Sequence, residues 1–277
     1  MTGGVRVACC QIAPDVGHPE RSAELAVDAI AAAVAVGAQV VVLPELSTSG
    51  YVFMSVEEAR AAALGAEEVA DSWAHLAARG AAVVVGGFCE RAADGRLFNS
   101  SALVDRDGLR AVYRKLHLWD EEPRWFSAGE EPAPVVDTRH GRIGLGICYD
   151  IEFPELTRGL ALAGADLIAL PANWPRDPLT ILDSLAATTA YVSRLYVAVC
   201  DRCGTERGLE FEGGSVIAGP DGGLRAGPVR ERGVETLLAD CDLTEARRKR
   251  TGEHNDAFAD RRPAYYSQAL AARGSRS

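Results

Sequence analysis

Apolar residues along this chain fall into short unbroken runs, separated by stretches with helical spacing. The runs at 5–12, 40–43, 82–88, 143–147, 167–170 and 196–200 are rich in Val, Ile and Leu. A strand with one solvated face alternates polar and apolar residues; these runs do not, so each predicts a strand buried on both faces. Between several of them, alanine- and leucine-rich stretches at 23–36, 69–78, 155–163 and 181–193 carry the three-to-four-residue period of a helix. Strand and helix therefore alternate, which predicts an α/β protein. Tight-turn sequences at Asp105-Arg106-Asp107-Gly108 and Gly219-Pro220-Asp221-Gly222 add hairpins, so the sheets are expected to be mixed rather than purely parallel.

One segment echoes another. Gly37-Ala38-Gln39-Val40-Val41-Val42-Leu43-Pro44 resembles Gly164-Ala165-Asp166-Leu167-Ile168-Ala169-Leu170-Pro171, each reading as a helix exit, a buried strand and a proline stop. Two readings stand: unrelated βα units sharing one grammar, or a pseudo-twofold relation between the halves. Both put Glu45 and Asn173 just past equivalent strand ends, where open α/β folds build their sites.

Composition narrows the field. At 277 residues, 48% apolar and 25% charged, the chain is able to bury a large core, and one domain spanning 1–277 is the expectation. A net charge of -10 argues against a nucleic-acid partner, whose affinity comes from clustered Lys and Arg. The one basic run, 247–250, reads as a solvated helix end. The apolar stretch 23–43 is interrupted by Asp28, Gly37 and Gln39, so no membrane span is expected. No secretory pattern opens the chain, and its seven scattered cysteines read as reduced thiols, so a cytoplasmic location is expected.

Four residues stand where chemistry needs them. Cys148 follows the strand-like run 142–147 and precedes a helix; such a strand-to-helix turn lifts a nucleophile out of a sheet and frees backbone N–H groups for a developing oxyanion. Glu45 caps the apolar strand 40–44, where partial desolvation favours proton capture near neutral pH. Lys115 ends a strand-like alternation, and Glu122 opens an aromatic loop with Trp125 and Phe126. Singly these residues have bland readings: a small buried thiol, a surface glutamate, a snorkelling lysine, a loop acid.

Taken in order, their contexts resemble the nitrilase superfamily of carbon-nitrogen hydrolases over nearly the whole chain. Pro44-Glu45 with Gly50-Tyr51, then Tyr113-Arg114-Lys115-Leu116-His117, then Gly144 to Asp150 with Phe153-Pro154-Glu155 match the family pattern. Arg262-Pro263 with Tyr265 resembles its C-terminal region. The family's further glutamate, seven residues before a loop glycine, is matched by Glu122 ahead of Gly129, with Glu121 an alternative beside it.

The resemblance implies a four-layer α-β-β-α sandwich, a Glu45 base, a Cys148 nucleophile, and an oxyanion held by Lys115 and the Tyr149 N–H, with Glu122 fixing the lysine. It also implies Tyr149, Asn173, Trp174, Tyr51 and Trp125 as substrate-binding residues, and a homodimer or larger homo-oligomer. Nitrile-cleaving members commonly carry Cys-Trp-Glu where this chain has Cys148-Tyr149-Asp150. The amide branch is thus favoured, near aliphatic amidases, with N-carbamoyl hydrolysis the adjacent alternative and nitrile hydrolysis a further one. No cofactor or metal is expected: the five histidines show no ligand spacing, and Cys200-Asp201-Arg202-Cys203 has no second cysteine pair. Readings of another class are a silent binding protein or a thiol-redox role for Cys200 and Cys203.

Overall fold

The computed structural model describes residues 4–176, 182–229 and 233–266. Residues up to Arg247 form one compact unit and those from Arg248 a second. In the first unit the chain runs β1 (Val5–Gln11), α1 (Pro19–Ala35), β2 (Val40–Val42), α2 (Val56–Ala62), α3 (Ala66–Gly80) and β3 (Val83–Arg91). It continues through β4 (Leu97–Asp105), β5 (Gly108–Arg114), β6 (Val135–Thr138), β7 (Gly141–Leu145), α4 (Pro154–Leu162) and β8 (Leu167–Ala172). Then follow α5 (Leu182–Ser193), β9 (Tyr196–Asp201), β10 (Cys203–Glu206), β11 (Leu209–Glu212), β12 (Ser215–Ala218), β13 (Leu224–Val229) and β14 (Glu235–Cys241). Residue 181, where the sequence opens the helix of α5, lies outside the described residues.

Two six-stranded sheets form, in the orders β14-β1-β2-β3-β4-β5 and β13-β12-β9-β8-β7-β6. Each has three parallel strands at its centre, β1-β2-β3 and β7-β8-β9, flanked by antiparallel partners. The sheets are therefore mixed, as the two turn sequences require. The β4–β5 turn places Asp105 opposite Gly108, and Gly222 N–H closes the β12–β13 turn on Gly219 O.

The sheets face one another, with β2 and β3 against β8 and with β1 against β9 and β12. Helices α1 and α3 cover the outer face of one sheet, α4 and α5 that of the other. This is an α-β-β-α sandwich. It explains the unbroken apolar runs: Val40, Val41 and Val42 are all fully buried because one face meets the opposite sheet and the other meets helices. The helices bury only a stripe. Ser22, Ala26, Ile30 and Ala33 of α1, and Val69, Trp73, Leu76 and Ala77 of α3, face inward at helical spacing. Each buried large aliphatic side chain contributes roughly 1.5–3 kcal/mol, so this inner stripe holds the helix layer to its sheet. Pro19 and Pro154 open α1 and α4 at a position where a missing N–H costs nothing. Among the described residues, no helix is long and apolar enough to cross a membrane.

The echoing segments occupy matched places, β2 and β8 each lying in the middle of three parallel strands. Their ends meet, with Glu45 N–H donating to Ala172 O at 3.4 Å. Only one of the two prolines acts as a stop. Pro44 lies beyond β2, whereas Pro171 sits inside β8 opposite Cys200. It is tolerated because β7 pairs with β8 only as far as Ala169, leaving that side of the strand open.

Candidate active site

Glu45 follows the end of β2 and is fully buried. Its backbone is wedged against Gly87 of β3, where an added Cβ would lie 2.5 Å from the Glu45 Cα; glycine is required there by close approach. Lys115 is the first residue after β5. Its N–H donates to Asn99 O at 2.9 Å, and its own carbonyl accepts from Gly129 N–H at 2.8 Å. An added Cβ at Gly129 would overlap the Arg114 carbonyl, so this loop closes on the lysine's backbone only through glycine. Glu122 begins a single 3-10 turn, Glu122–Arg124.

These three side chains meet. Lys115 Nζ lies 2.7 Å from Glu45 Oε1 and 2.7 Å from Glu122 Oε1, with all three groups buried. The Glu121 side chain is exposed and pairs with Arg124, so geometry assigns the lysine contact to Glu122. Tyr51 OH donates to Glu122 Oε1 at 3.0 Å, and Trp119 N–H donates to Glu122 Oε2 at 3.1 Å.

Cys148 begins the 3-10 turn Cys148–Glu152 that follows β7, with φ at 48°, in the left-handed region. A non-glycine residue held there costs roughly 1–3 kcal/mol, a strain typical of turns that present a nucleophile. The thiol is buried, and the charges of Glu45, Lys115 and Glu122 and the dipole of the Asn173 backbone N–H act on it. Burial, and then the Glu45 charge, push its pKa well above the ordinary thiol value, outweighing Lys115 and the Asn173 N–H. The resting group is a thiol. Burial lowers the Lys115 pKa, but the two carboxylates overcome this and hold the ammonium above the ordinary lysine range. Burial pushes Glu122 up to about 7, with Lys115 opposing and Glu45 adding to the rise.

The remaining sequence candidates separate into two groups. Tyr51 and Trp125 line a cavity of about 330 Å3 together with Glu122. Tyr149, Asn173 and Trp174 are not among its lining residues. Asn173 reaches the thiol through its N–H, while its buried side-chain amide has no protein partner. Trp174 N–H is anchored by Asp201 Oδ1 at 2.8 Å, and the Tyr149 ring packs edge-on against Phe153. A larger cavity of about 680 Å3 shares no residue with the Glu45-Lys115-Glu122-Cys148 cluster, whereas the smaller one includes Glu122. It is lined by charged groups that already engage each other, such as Arg202 and Glu206 at 3.0 Å.

Three residues that the sequence reading did not single out shape the cluster. Asn99 Nδ2 donates to Glu45 Oε1 at 2.6 Å, the oxygen that also accepts from Lys115, while Glu45 Oε2 is buried and without a protein partner. Asp150 joins the lysine segment to the cysteine turn: its Oδ2 accepts from Tyr113 OH at 2.8 Å and Ile147 N–H at 3.0 Å, and its Oδ1 lies 2.7 Å from His117 Nδ1. Glu206 Oε2 accepts Tyr51 N–H at 2.8 Å and Val52 N–H at 2.7 Å, holding the loop that carries Tyr51. Asn99 had one signal, a polar Asn-Ser-Ser run inside an apolar strand. Asp150 lies within the Cys-Tyr-Asp motif, but its partners are distant in sequence; Glu206 had no signal.

In such a cluster a carboxylate beside the thiol is able to take its proton, and the ammonium held between the two carboxylates is able to stabilise an oxyanion. The chain is 36% identical over 266 residues to a nitrilase of Pyrococcus abyssi, covering 95% of this chain and 99% of the relative. It is 34% identical over 216 residues to a 2-oxoglutaramate amidase of Bacillus subtilis, covering 76% and 80%. Among solved structures it superposes, with a TM-score of 0.80, 27% identity and coverage of 96% and 100%, on a variant of the amidase from Nesterenkonia sp. AN1 showing the result of Michael addition of acrylamide at the active site cysteine. Residues 6–251 match the family described as carbon-nitrogen hydrolase, and the chain belongs to that family.

Proposed function

We propose that this protein is a cysteine-dependent amidase that cleaves small amides to a carboxylic acid and ammonia through a thioester. The observation that carries the reading is Lys115 Nζ at 2.7 Å from both Glu45 and Glu122, beside the Cys148 thiol. Because the thiol is neutral at rest, attack needs a base. Glu45 Oε2, with no protein partner, takes the Sγ proton as sulfur bonds to the carbonyl carbon. Lys115 and the Tyr149 N–H stabilise the oxyanion. Glu45 returns the proton to nitrogen, the C–N bond breaks and ammonia leaves. Water then attacks the thioester as Glu45 takes its proton, the C–S bond breaks, and the proton returns to sulfur as the acid departs. Glu122, held by Tyr51 and Trp119, fixes the lysine. Asn173 borders the thiol, Trp174 follows it in the chain with its N–H held by Asp201, and Tyr51 and Trp125 line the acyl cavity.

The amide branch is supported by the amidase relatives and by Cys148-Tyr149-Asp150. A cytoplasmic setting is supported by the seven unpaired, buried cysteines, which suit a reducing compartment. A homodimer or larger assembly belongs to the same reading and is read by light scattering. The test of the chemistry is ammonia release from small amides by the intact protein, with mass spectrometry of the quenched enzyme. An acyl adduct on the peptide holding Cys148, and loss of turnover in Cys148→Ala and Cys148→Ser, are expected. Turnover by Cys148→Ala at the wild-type rate would refute the proposal.

A further inference from the structure

We infer that the acyl cavity is selective for uncharged, apolar acyl groups and turns away amides that carry a carboxylate; this rests on the amidase reading above. The cavity of about 330 Å3 is bordered by Glu122 and Tyr51, and its walls include Phe53, Trp119, Trp125, Phe126 and Leu209. That volume is near the lower end for small-molecule pockets, about 300 Å3, and suits a short branched chain or one aryl ring.

The charge around it is mostly negative. Asp120, Glu121 and Glu122 contribute to the lining and Arg124 is the one basic residue among the described lining residues. Arg124 is engaged by Glu121 and lies 4.8 Å over the Trp125 ring, with both members of the ion pair largely exposed to water. Lys115 is enclosed between Glu45 and Glu122. Recognition of a carboxylate inside an apolar cavity needs an uncommitted, preferably forked, cation. Among the described lining residues none is uncommitted, and the acids outnumber the bases, so an entering carboxylate loses its hydration and meets repulsion. An aliphatic or aryl acyl group meets aromatic faces instead. The cavity thus distinguishes neutral amides from 2-oxoglutaramate, the compound in one relative's name. The same logic excludes N-carbamoyl amino acids, which also carry a carboxylate.

The test uses the full chain. Butyramide, benzamide and phenylacetamide are compared with succinamate, 2-oxoglutaramate and an N-carbamoyl amino acid. Binding to Cys148→Ala is followed by ligand-observed NMR, and ammonia release by the wild type is followed separately. Neutral amides are expected to exceed the anionic ones by about 100-fold in kcat/KM and to be the only ones that bind at millimolar concentration. Met54 is 71% exposed and lines the cavity. Met54→Arg supplies the missing cation and is expected to narrow the ratio by about tenfold. Anionic amides binding or reacting as well as butyramide, or no amide binding at all, overturns the inference. Selective binding of neutral amides without ammonia release supports it and overturns the amidase reading alone.

Discussion

The Tyr113 hydroxyl donates to Asp150 Oδ2 at 2.8 Å, and the same oxygen accepts the Ile147 N–H at 3.0 Å. Tyr113 lies two residues before Lys115 and Ile147 one residue before Cys148, so a single carboxylate ties the lysine's strand to the cysteine's turn. Asp150 is fully buried, and removing its partners would leave it without the donors that its burial demands.

That link predicts a kinetic defect ahead of a folding defect. Asp150→Asn keeps the shape and can still accept from Tyr113 and Ile147, but it loses the charge that faces them and His117. Its kcat is expected to fall at least about tenfold with KM within about twofold, because the geometry of attack loosens while the acyl cavity is untouched. Alkylation of Cys148 by iodoacetamide should slow in parallel. Unchanged kcat and unchanged alkylation in a folded Asp150→Asn would remove Asp150 from any positioning role.

Lys115→Ala illustrates what sequence reading leaves out. From the sequence alone the variant is expected to lose turnover and keep its fold. In the structure the ammonium is fully buried between two buried carboxylates, and its removal strands both. Loss of an oxyanion donor costs roughly 2.7–4 kcal/mol of transition-state stabilisation, a drop of about 10²–10³ in kcat. Breaking a buried ion pair costs roughly 3–5 kcal/mol of stability as well. Urea denaturation should show the second effect, largest above the pH at which Glu122 releases its proton. An unshifted midpoint there would contradict the burial argument.

The sequence made the scaffold legible because the central strands have no solvated face: Val40 to Val42 and Leu167 to Leu170 can be nothing but interior. It also placed Glu45, Lys115 and Cys148, since each stands where a strand ends and the chain turns. What it did not reveal depends on approach between distant segments. Asn99 is 54 residues from the Glu45 it bonds, and Glu206 is 155 from Tyr51. Short edge strands such as β6, and the two-stranded β10-β11 pair, carry too few buried positions to set up a period. The choice between Glu121 and Glu122 was also beyond sequence, because adjacent residues in a loop differ only in which way the 3-10 turn faces them.

Glu122 predicts a pH dependence of stability. Its ordinary value near 4.5 is pushed up to about 7 in the fold, chiefly by burial. Between those values the folded chain retains a proton that the unfolded chain has released, so this group makes stability fall as pH rises through the window. The contribution is favourable at the acidic end and lost above pH 7. Glu122→Gln cannot titrate, so its loss of Tm from pH 5 to pH 8 should be smaller than that of the wild type. Parallel Tm curves for the two proteins would assign the proton elsewhere.

Gly87→Ala places one methyl group where the backbone of Glu45, the proposed base, passes. The new Cβ would lie 2.5 Å from Glu45 Cα and 2.6 Å from Leu46 N, both backbone atoms with no rotamer to yield. Overpacking of this kind costs roughly 1–3 kcal/mol of stability. The larger effect falls on activity: relief requires Glu45 to move away from β3, and a displacement of about 1 Å in a reacting group can cost about 10²-fold in rate. The expected result is a folded protein, melting several degrees lower, with kcat reduced about a hundredfold and a slower reaction of Cys148 with iodoacetamide. Because Gly87 is not among the described residues that line the acyl cavity, the preference among neutral amides should be unchanged even as every rate falls. A uniform loss with preserved preference locates the damage at the base; a changed preference would mean that the strain had instead spread to the cavity wall.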